Sequence, residues 1–277
     1  MHLIIQGLDV GNYDLRALAK LAGADEIEKV SGQAFRLKNI QQQDGISDYC
    51  EEAKLDYAVV GHDLNLTDFK LIAMDMDSTL LAIESIDEIA DIHHTKQQVA
   101  EITLKTMRGE ISFEESLTQR TALLRGVHID ALQKVYEERM RLSPGAEIML
   151  KKAKTAGLKT MVISGGFTFF TDRIKEKLQL DFATANTFEV QENRLTGKVL
   201  GKILGREGKA EALSNVCDKL GISRNQVIAI GDGANDLDML AAAGISIAYH
   251  AKPVVQQQAT FSLNHVGLDG VINLFNR

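Results

Sequence analysis

Cysteine is scarce in this chain of 277 residues. Cys50 and Cys217 lie far apart and outside any C-x-x-C, which excludes a disulfide framework and a cysteine zinc site. Proline is as rare, two in all, so Pro144 marks a boundary, the start of a new helix and strand. No run of about 18 apolar residues exists, which excludes a membrane-spanning helix. The first residues, Met1 to Gly7, lead to acidic residues before they supply the basic and apolar regions of a secretory signal, so the expected location is the cytoplasm. Positive charge is in deficit too: 31 Lys and Arg against 38 Asp and Glu give a net charge of −7. A general attraction to nucleic acid or anionic membrane is thereby excluded. Any phosphate site must be built locally, from backbone N–H groups, a metal and one or two placed cations.

What remains is ordinary globular material, 45% hydrophobic and 25% charged, long enough for one large core and a smaller unit. Residues 1–66 read as strand, helix, strand, strand, helix, strand, at 3–5, 15–21, 26–30, 35–37, 46–53 and 55–60. That order is a split βαβ unit. It resembles a reduced form of the ferredoxin-like, ACT-like domains that bind amino acids in metabolic enzymes. A packing or dimerisation module, the latter giving a homodimer, is an equal reading, because fold likeness says little about ligand.

After a link at 64–68, the apolar run from Lys70 ends in Asp75 and Asp77, as expected of a buried parallel strand delivering acids to a sheet edge. Residues 85–142 are nearly free of Gly and Pro and carry helical periodicity. A helix over 145–156, a strand over 160–164, a helix over 209–220, a strand over 227–230, a helix over 235–243 and a strand over 245–248 follow. The alternation predicts an α/β fold: a doubly wound parallel sheet formed by 67–84 and 143–277, with 85–142 as a helical cap over its carboxyl edge.

Two acids at a dry strand end are costly, and a solvated loop does not explain why they interrupt the apolar run. By itself D-x-D-S-T, Asp75 to Thr79, has limited specificity. Three further segments fall at strand ends or helix starts: Ser164-Gly165-Gly166, Lys209, and Gly231-Asp232-Gly233-Ala234-Asn235-Asp236. In an open α/β sheet such ends line one crevice, so all four can converge on one phosphate. A carboxylate nucleophile needs its target's charge neutralised, Mg²⁺ prefers carboxylate oxygens, and phosphoryl transfer wants positioned donors and a cation.

This ordered set resembles the haloacid dehalogenase superfamily of phosphatases, over residues 70–277. The resemblance implies that Asp75 attacks phosphorus and that Asp77 protonates the leaving oxygen and later deprotonates water. It implies Mg²⁺ held by Asp75, the backbone carbonyl of Asp77 and Asp232. Ser164, the Gly165 N–H and Lys209 would bind phosphate oxygens, and Asn235 phosphate or the attacking water. Asp236 would support metal or lysine from behind, and Asp238 reads as a helix N-terminal acid.

For the substrate, a free amino acid asks for one acid and one arginine. Glu84 is placed for the first. Arg120 shares a helical face with Phe113, Leu117 and Leu124, where an arginine is unusual; snorkelling, or pairing with Ser116 or Glu115, is the alternative. The segments E-S-I-D-E-I-A, I-T-L-K-T-M-R-G, F-E-E-S-L and R-x-x-L-L-R-G are similar to phosphoserine phosphatases. That resemblance implies hydrolysis of O-phosphoserine, the last step of serine biosynthesis, with Glu84 on the amino group, Arg120 on the carboxylate, and Met107 and Phe113 closing the pocket. The shortened N-terminal region leaves amino-acid feedback open. Transfer of the phosphoryl group to another hydroxyl amino acid such as homoserine, or a non-enzymatic amino-acid sensor, are the competing readings. His93 and His94 point about 100° apart on a helix and are read as surface.

Overall fold

The computed structural model describes residues 1–276. Its first part runs β1 (His2–Gln6), α1 (Leu15–Ala22), β2 (Glu26–Lys29), β3 (Ala34–Lys38), α2 (Ile46–Glu52) and β4 (Asp56–Val60). The order is the expected one, with ends shifted by at most one residue. All pairings are antiparallel, in the order β2-β3-β1-β4. Because side chains alternate across a strand, Leu3 and Ile5 face α1 and α2, while Ile4, Ala58 and Val60 face the rest of the protein.

Polar residues on that second face make a joint. Gln6 donates to the Gly270 carbonyl (3.1 Å) and accepts from Asn273 (2.9 Å). Arg36 donates to the Phe275 carbonyl at 3.0 Å. Asp56 accepts the backbone N–H groups of Asn264, His265 and Val266 at 2.6, 2.9 and 3.1 Å.

The second sheet begins with β5 (Leu71–Met74), buried throughout. The helices α3 (Ser85–Ile92), α4 (Lys96–Met107), α5 (Phe113–Ala122) and α6 (Ile129–Lys134) come next. The chain then alternates: α7 (Ala146–Thr155), β6 (Lys159–Phe167), α8 (Thr168–Leu178), β7 (Phe182–Gln191), β8 (Arg194–Leu200), α9 (Arg206–Leu220), β9 (Val227–Gly231), α10 (Leu237–Ala241), β10 (Ile245–Tyr249), α11 (Pro253–Gln256), β11 (Phe261–Leu263) and α12 (Gly270–Asn273). Strand order is β11-β10-β9-β5-β6-β7-β8. Both faces are covered: Ile72 and Met74 pack with α7 and α8 residues, Leu71 and Ala73 with residues of α9 and α10. The doubly wound sheet is thus present, and all pairs are parallel except β7 with β8.

That antiparallel edge hairpin is a departure from the expected all-parallel sheet. Its turn, Glu192-Asn193, has positive φ at both residues, matching the twist of the flanking strands. The hairpin supports the helical insertion: Arg194 donates to the Gly126 carbonyl at 2.8 Å, and the Gly126 N–H to the Leu195 carbonyl at 2.8 Å. The insertion leaves and returns through a paired neck, in which the Ala82 N–H meets the Arg141 carbonyl (2.9 Å) and the Ser143 N–H the Leu80 carbonyl (3.0 Å). Within it, Ser112 and Glu115 close a reciprocal cap that starts α5. The helix ends at Ala122, so Leu124 belongs to the following turn.

Candidate active site

β5 stops at Met74, and Asp75 is extended with its N–H bonded to the Ile230 carbonyl at 3.0 Å, locking it to the end of β9. Lys209 lies in the second turn of α9, which starts three residues earlier than the sequence suggested, and its side chain is wholly buried. Its ammonium donates to Asp75 Oδ1 and Asp236 Oδ1, each at 2.6 Å. The other oxygen of Asp236 accepts the N–H groups of Asp232 (3.2 Å) and Gly233 (3.0 Å), shaping the loop after β9. Thr79 donates to Asp232 Oδ1 at 3.0 Å.

Asp77 accepts the Ser85 N–H at 2.8 Å and the Ser164 hydroxyl at 3.4 Å. Ser164, at the end of the regular part of β6, also accepts the Gly166 N–H at 2.8 Å. Glycine is required beside it. A Cβ on Gly165 would stand 2.6 Å from the Phe113 ring, and one on Gly166 2.7 Å from Asp77 Oδ2. Asn235 sits in the turn after Asp232 and makes no hydrogen bond to the described residues.

Asp75, Asp232 and Asp236 each bring a carboxylate oxygen within 4.8 Å of the others. Among the described residues, only Lys209 pairs with this group as a cation. Burial pushes the Asp75 carboxyl well above the ordinary range, against the pull of Lys209. Burial, then Asp236, pushes Asp232 up to about 7. Burial likewise raises Asp77, against the Ser85 N–H. Burial by itself would depress the Lys209 ammonium, but Asp236 and Asp75 overcome it and hold it above the lysine range. The pattern is that of a site short of positive charge. A hard divalent cation fits it, on oxygens of Asp75 and Asp232 that no donor among the described residues uses, whereas both oxygens of Asp236 are committed.

On the cap side, Glu84 Oε1 accepts the Ser78 hydroxyl at 2.7 Å. The side chain reaches the solvent of the cleft, yet the protein around it, with Asp77 next in effect, pushes its carboxyl up to about 7. Arg120 is largely enclosed, and its Nε has no partner. It feels Glu84, Asp87 and Asp77 without pairing with any described carboxylate, while burial lowers its pKa. The alternative pairing is absent: Glu115 is engaged with Ser112, and the Ser116 hydroxyl has no partner. Phe113 covers Gly165. Met107 is 61% exposed at the end of α4. His93, half-buried, follows the last residue of α3 and the exposed His94 is left-handed, so the two do not share a helix, and Asp238 pairs with Arg206 at the start of α10.

Three residues of the site were not singled out from sequence. Ser78 and Thr79 belong to D-x-D-S-T and were legible as neighbours of acids. Asn186, on β7, had no signal: it donates to the Gly165 carbonyl (2.9 Å) and accepts the Leu204 N–H (2.7 Å), tying the bulge after Ser164 in β6 to the approach to α9.

A family model described as haloacid dehalogenase-like hydrolase matches residues 69–244, and one described as a domain of unknown function, DUF4072, matches 3–46. The phosphoserine phosphatase of Polaromonas sp. (strain JS666 / ATCC BAA-500) is 52% identical over 217 residues, which cover 76% of this chain and 92% of that protein. Among solved structures, a HAD family hydrolase from Salmonella enterica subsp. enterica serovar Typhi superposes with a TM-score of 0.88 at 32% identity, over 99% of this chain and 98% of that one. A phospho-aspartyl intermediate analogue of phosphoserine phosphatase superposes with a TM-score of 0.71 at 38% identity, over 75% of this chain and 99% of that one. With the four motifs gathered at one sheet edge and a relative more than half identical over 217 residues, this chain belongs to the phosphoserine phosphatases of the haloacid dehalogenase-like hydrolases.

Proposed function

We propose that the chain hydrolyses O-phospho-L-serine to serine and phosphate, with Asp75 as nucleophile, and that Mg²⁺ is its metal. One observation carries this reading: Lys209 is clamped between Asp75 and Asp236 beneath a cap in which the largely enclosed Arg120, its Nε buried, has no partner among the described residues. A buried guanidinium without an acceptor costs stability, so an anionic ligand is the group that would repay it.

In the first step an Asp75 oxygen bonds to phosphorus as the phosphorus–serine oxygen bond breaks, and Asp77 gives its proton to the departing oxygen. The raised carboxyl of Asp77 suits that donation. In the second, water attacks phosphorus, Asp77 takes the water's proton, and the Asp75–phosphorus bond breaks to release phosphate. Lys209 offsets the charge of Asp75, while the Ser164 hydroxyl and the Gly165 N–H donate to phosphoryl oxygens and Asn235 to phosphate or the water. Glu84 meets the ammonium of the substrate and Arg120 its carboxylate. Phe113 and Met107 cover the rest, Met107 on the strength of the motif resemblance alone. Asp75, Asp232 and the Asp77 carbonyl would hold Mg²⁺, which would supply charge neutralisation at the phosphoryl group.

We further assign residues 1–66 to a small α+β domain, 67–84 with 143–277 to the core, and 85–142 to the cap. The paired neck and the separate cluster under α1 and α2 support this division. Both faces of the first sheet are covered, which favours a packing role for it over dimerisation through the sheet. Among the described residues no helix is long and apolar enough to cross a membrane. The unpaired thiols of Cys50 and Cys217 fit the reducing cytoplasm.

The test is phosphate release from O-phosphoserine. It should vanish with EDTA, return with Mg²⁺, and fall when Ca²⁺ competes, since a larger and looser coordination shell misaligns the nucleophile. Full activity with Zn²⁺ alone would overturn the carboxylate metal site, and phosphate passed to an added hydroxyl amino acid would make the enzyme a transferase.

A further inference from the structure

Ser78 is three residues beyond the nucleophile and holds φ at +56°, a region that residues with a Cβ seldom enter. Its N–H donates to the Ile83 carbonyl at 3.1 Å, which closes a turn and returns the chain to the cleft at Glu84. Across that turn the Ser78 hydroxyl donates to Glu84 Oε1 at 2.7 Å. The adjoining Ser85 N–H holds Asp77 at 2.8 Å. One short turn therefore sets both the acid–base carboxyl and the carboxylate beneath the cap. No other described residue hydrogen-bonds the Glu84 side chain, so its second oxygen is uncommitted.

We propose that Ser78 is a positioning residue for substrate choice: its hydroxyl pins Glu84 at a set distance from Asp75, so that an α-ammonium reaches the free Glu84 oxygen only when phosphorus lies at Asp75. Backbone strain at Ser78 is kept because the left-handed turn aims the hydroxyl at Glu84. The proposal rests on the reading of Glu84 as the ammonium partner.

Ser78→Gly tests it, because glycine keeps the positive φ without strain and removes only the hydroxymethyl group. Its kcat/KM for O-phosphoserine should fall about tenfold, through KM, the scale of one hydrogen bond to a charged group. For 3-phosphopropionate, which has the carboxylate and no ammonium, the fall should be less than about threefold. Added to Glu84→Gln, Ser78→Gly should cost nothing further, since the two act through one contact. Ser78→Ala, which retains a Cβ at the strained φ, should show the same ester selectivity with a larger loss of thermal stability than Ser78→Gly. An unchanged Ser78→Gly, equal losses on both esters, or a loss that adds to that of Glu84→Gln would overturn the proposal. Should Glu84→Gln alone depress both esters equally, the reading of Glu84 fails instead, independently of Ser78.

Discussion

Two buried carboxylates, Asp56 and Asp75, are 4% and 5% exposed and are both raised by burial, yet their surroundings differ. Asp56 accepts three backbone N–H groups and holds the last strand of the first sheet to residues 264–266. Among the described residues the Asp75 carboxylate has one partner, Lys209, and a second oxygen that no donor uses. The arginines repeat the contrast. Arg36 donates to the Phe275 carbonyl and lies 4.0 Å from Glu28, leaving its buried Nε without a partner, whereas Arg120 donates to nothing among the described residues. Polar groups in the joint are spent on the protein itself; those in the cleft keep bonding capacity for a ligand. Burial therefore separates neither kind, and satisfaction of hydrogen bonds does.

The sharpest way to break this contrast is Asp75→Asn. The amide fills the same volume but forms no acyl-phosphate, so turnover should be lost almost completely while the fold and its denaturation midpoint persist. Mass spectrometry of quenched wild-type protein should place phosphate on Asp75, and residual turnover in the variant would remove the covalent mechanism. Next is Arg120→Ala, which should lower kcat/KM for O-phosphoserine at least about tenfold and act less on an ester lacking the carboxylate. Lysine should rescue only in part, because a point charge does not reproduce two parallel N–H···O contacts. Equal losses on both esters would assign Arg120 to the joint's category, a support for the cap.

Asp56→Asn should show the reverse pattern. One oxygen stays an acceptor while an NH₂ group confronts a backbone N–H, so the midpoint of urea denaturation should drop by the equivalent of about 1–3 kcal/mol with turnover per folded molecule unchanged. A loss of activity at undiminished stability would place Asp56 in the functional class after all. The smallest effect concerns Cys50, a group with neither role, whose thiol is pushed up to about 12 by burial, with Asp56 adding to it. As its folded value is raised, the stability it contributes is complete below its unfolded value of about 8.5 and is lost as pH climbs toward the folded one. Iodoacetamide should therefore leave Cys50 unlabelled at pH 8 in the native protein and alkylate it in urea. Rapid native labelling would show α2 opening away from the first sheet.

Much of the cleft was legible because its acids break local rules. Asp75 and Asp77 interrupt an apolar run, Gly165 and Gly166 follow a strand, and Asp232 lies in a glycine turn, each a departure readable from adjacent residues. The parallel strands and the first βαββαβ unit were legible through side-chain periodicity. The antiparallel β8 and the joint were not, because Asp56 meets Val266 and Asn273 meets Gln6 across more than 200 residues of sequence. Asn186 is the clearest case: an asparagine in a strand carries no local mark, and its two bonds reach segments about twenty residues away on either side.

The sequence by itself determined which residues the proposed chemistry rests on, since D-x-D-S-T, Ser164-Gly165-Gly166, Lys209 and the glycine–aspartate turn are set by residue type and short spacing. The tertiary structure decided which of the buried charges are available. That depends on where each remaining lone pair and N–H points, and Lys209 between Asp75 and Asp236, Ser78 against Glu84, and Arg120 without a partner are arranged by strands and helices that meet only when the sheet has closed.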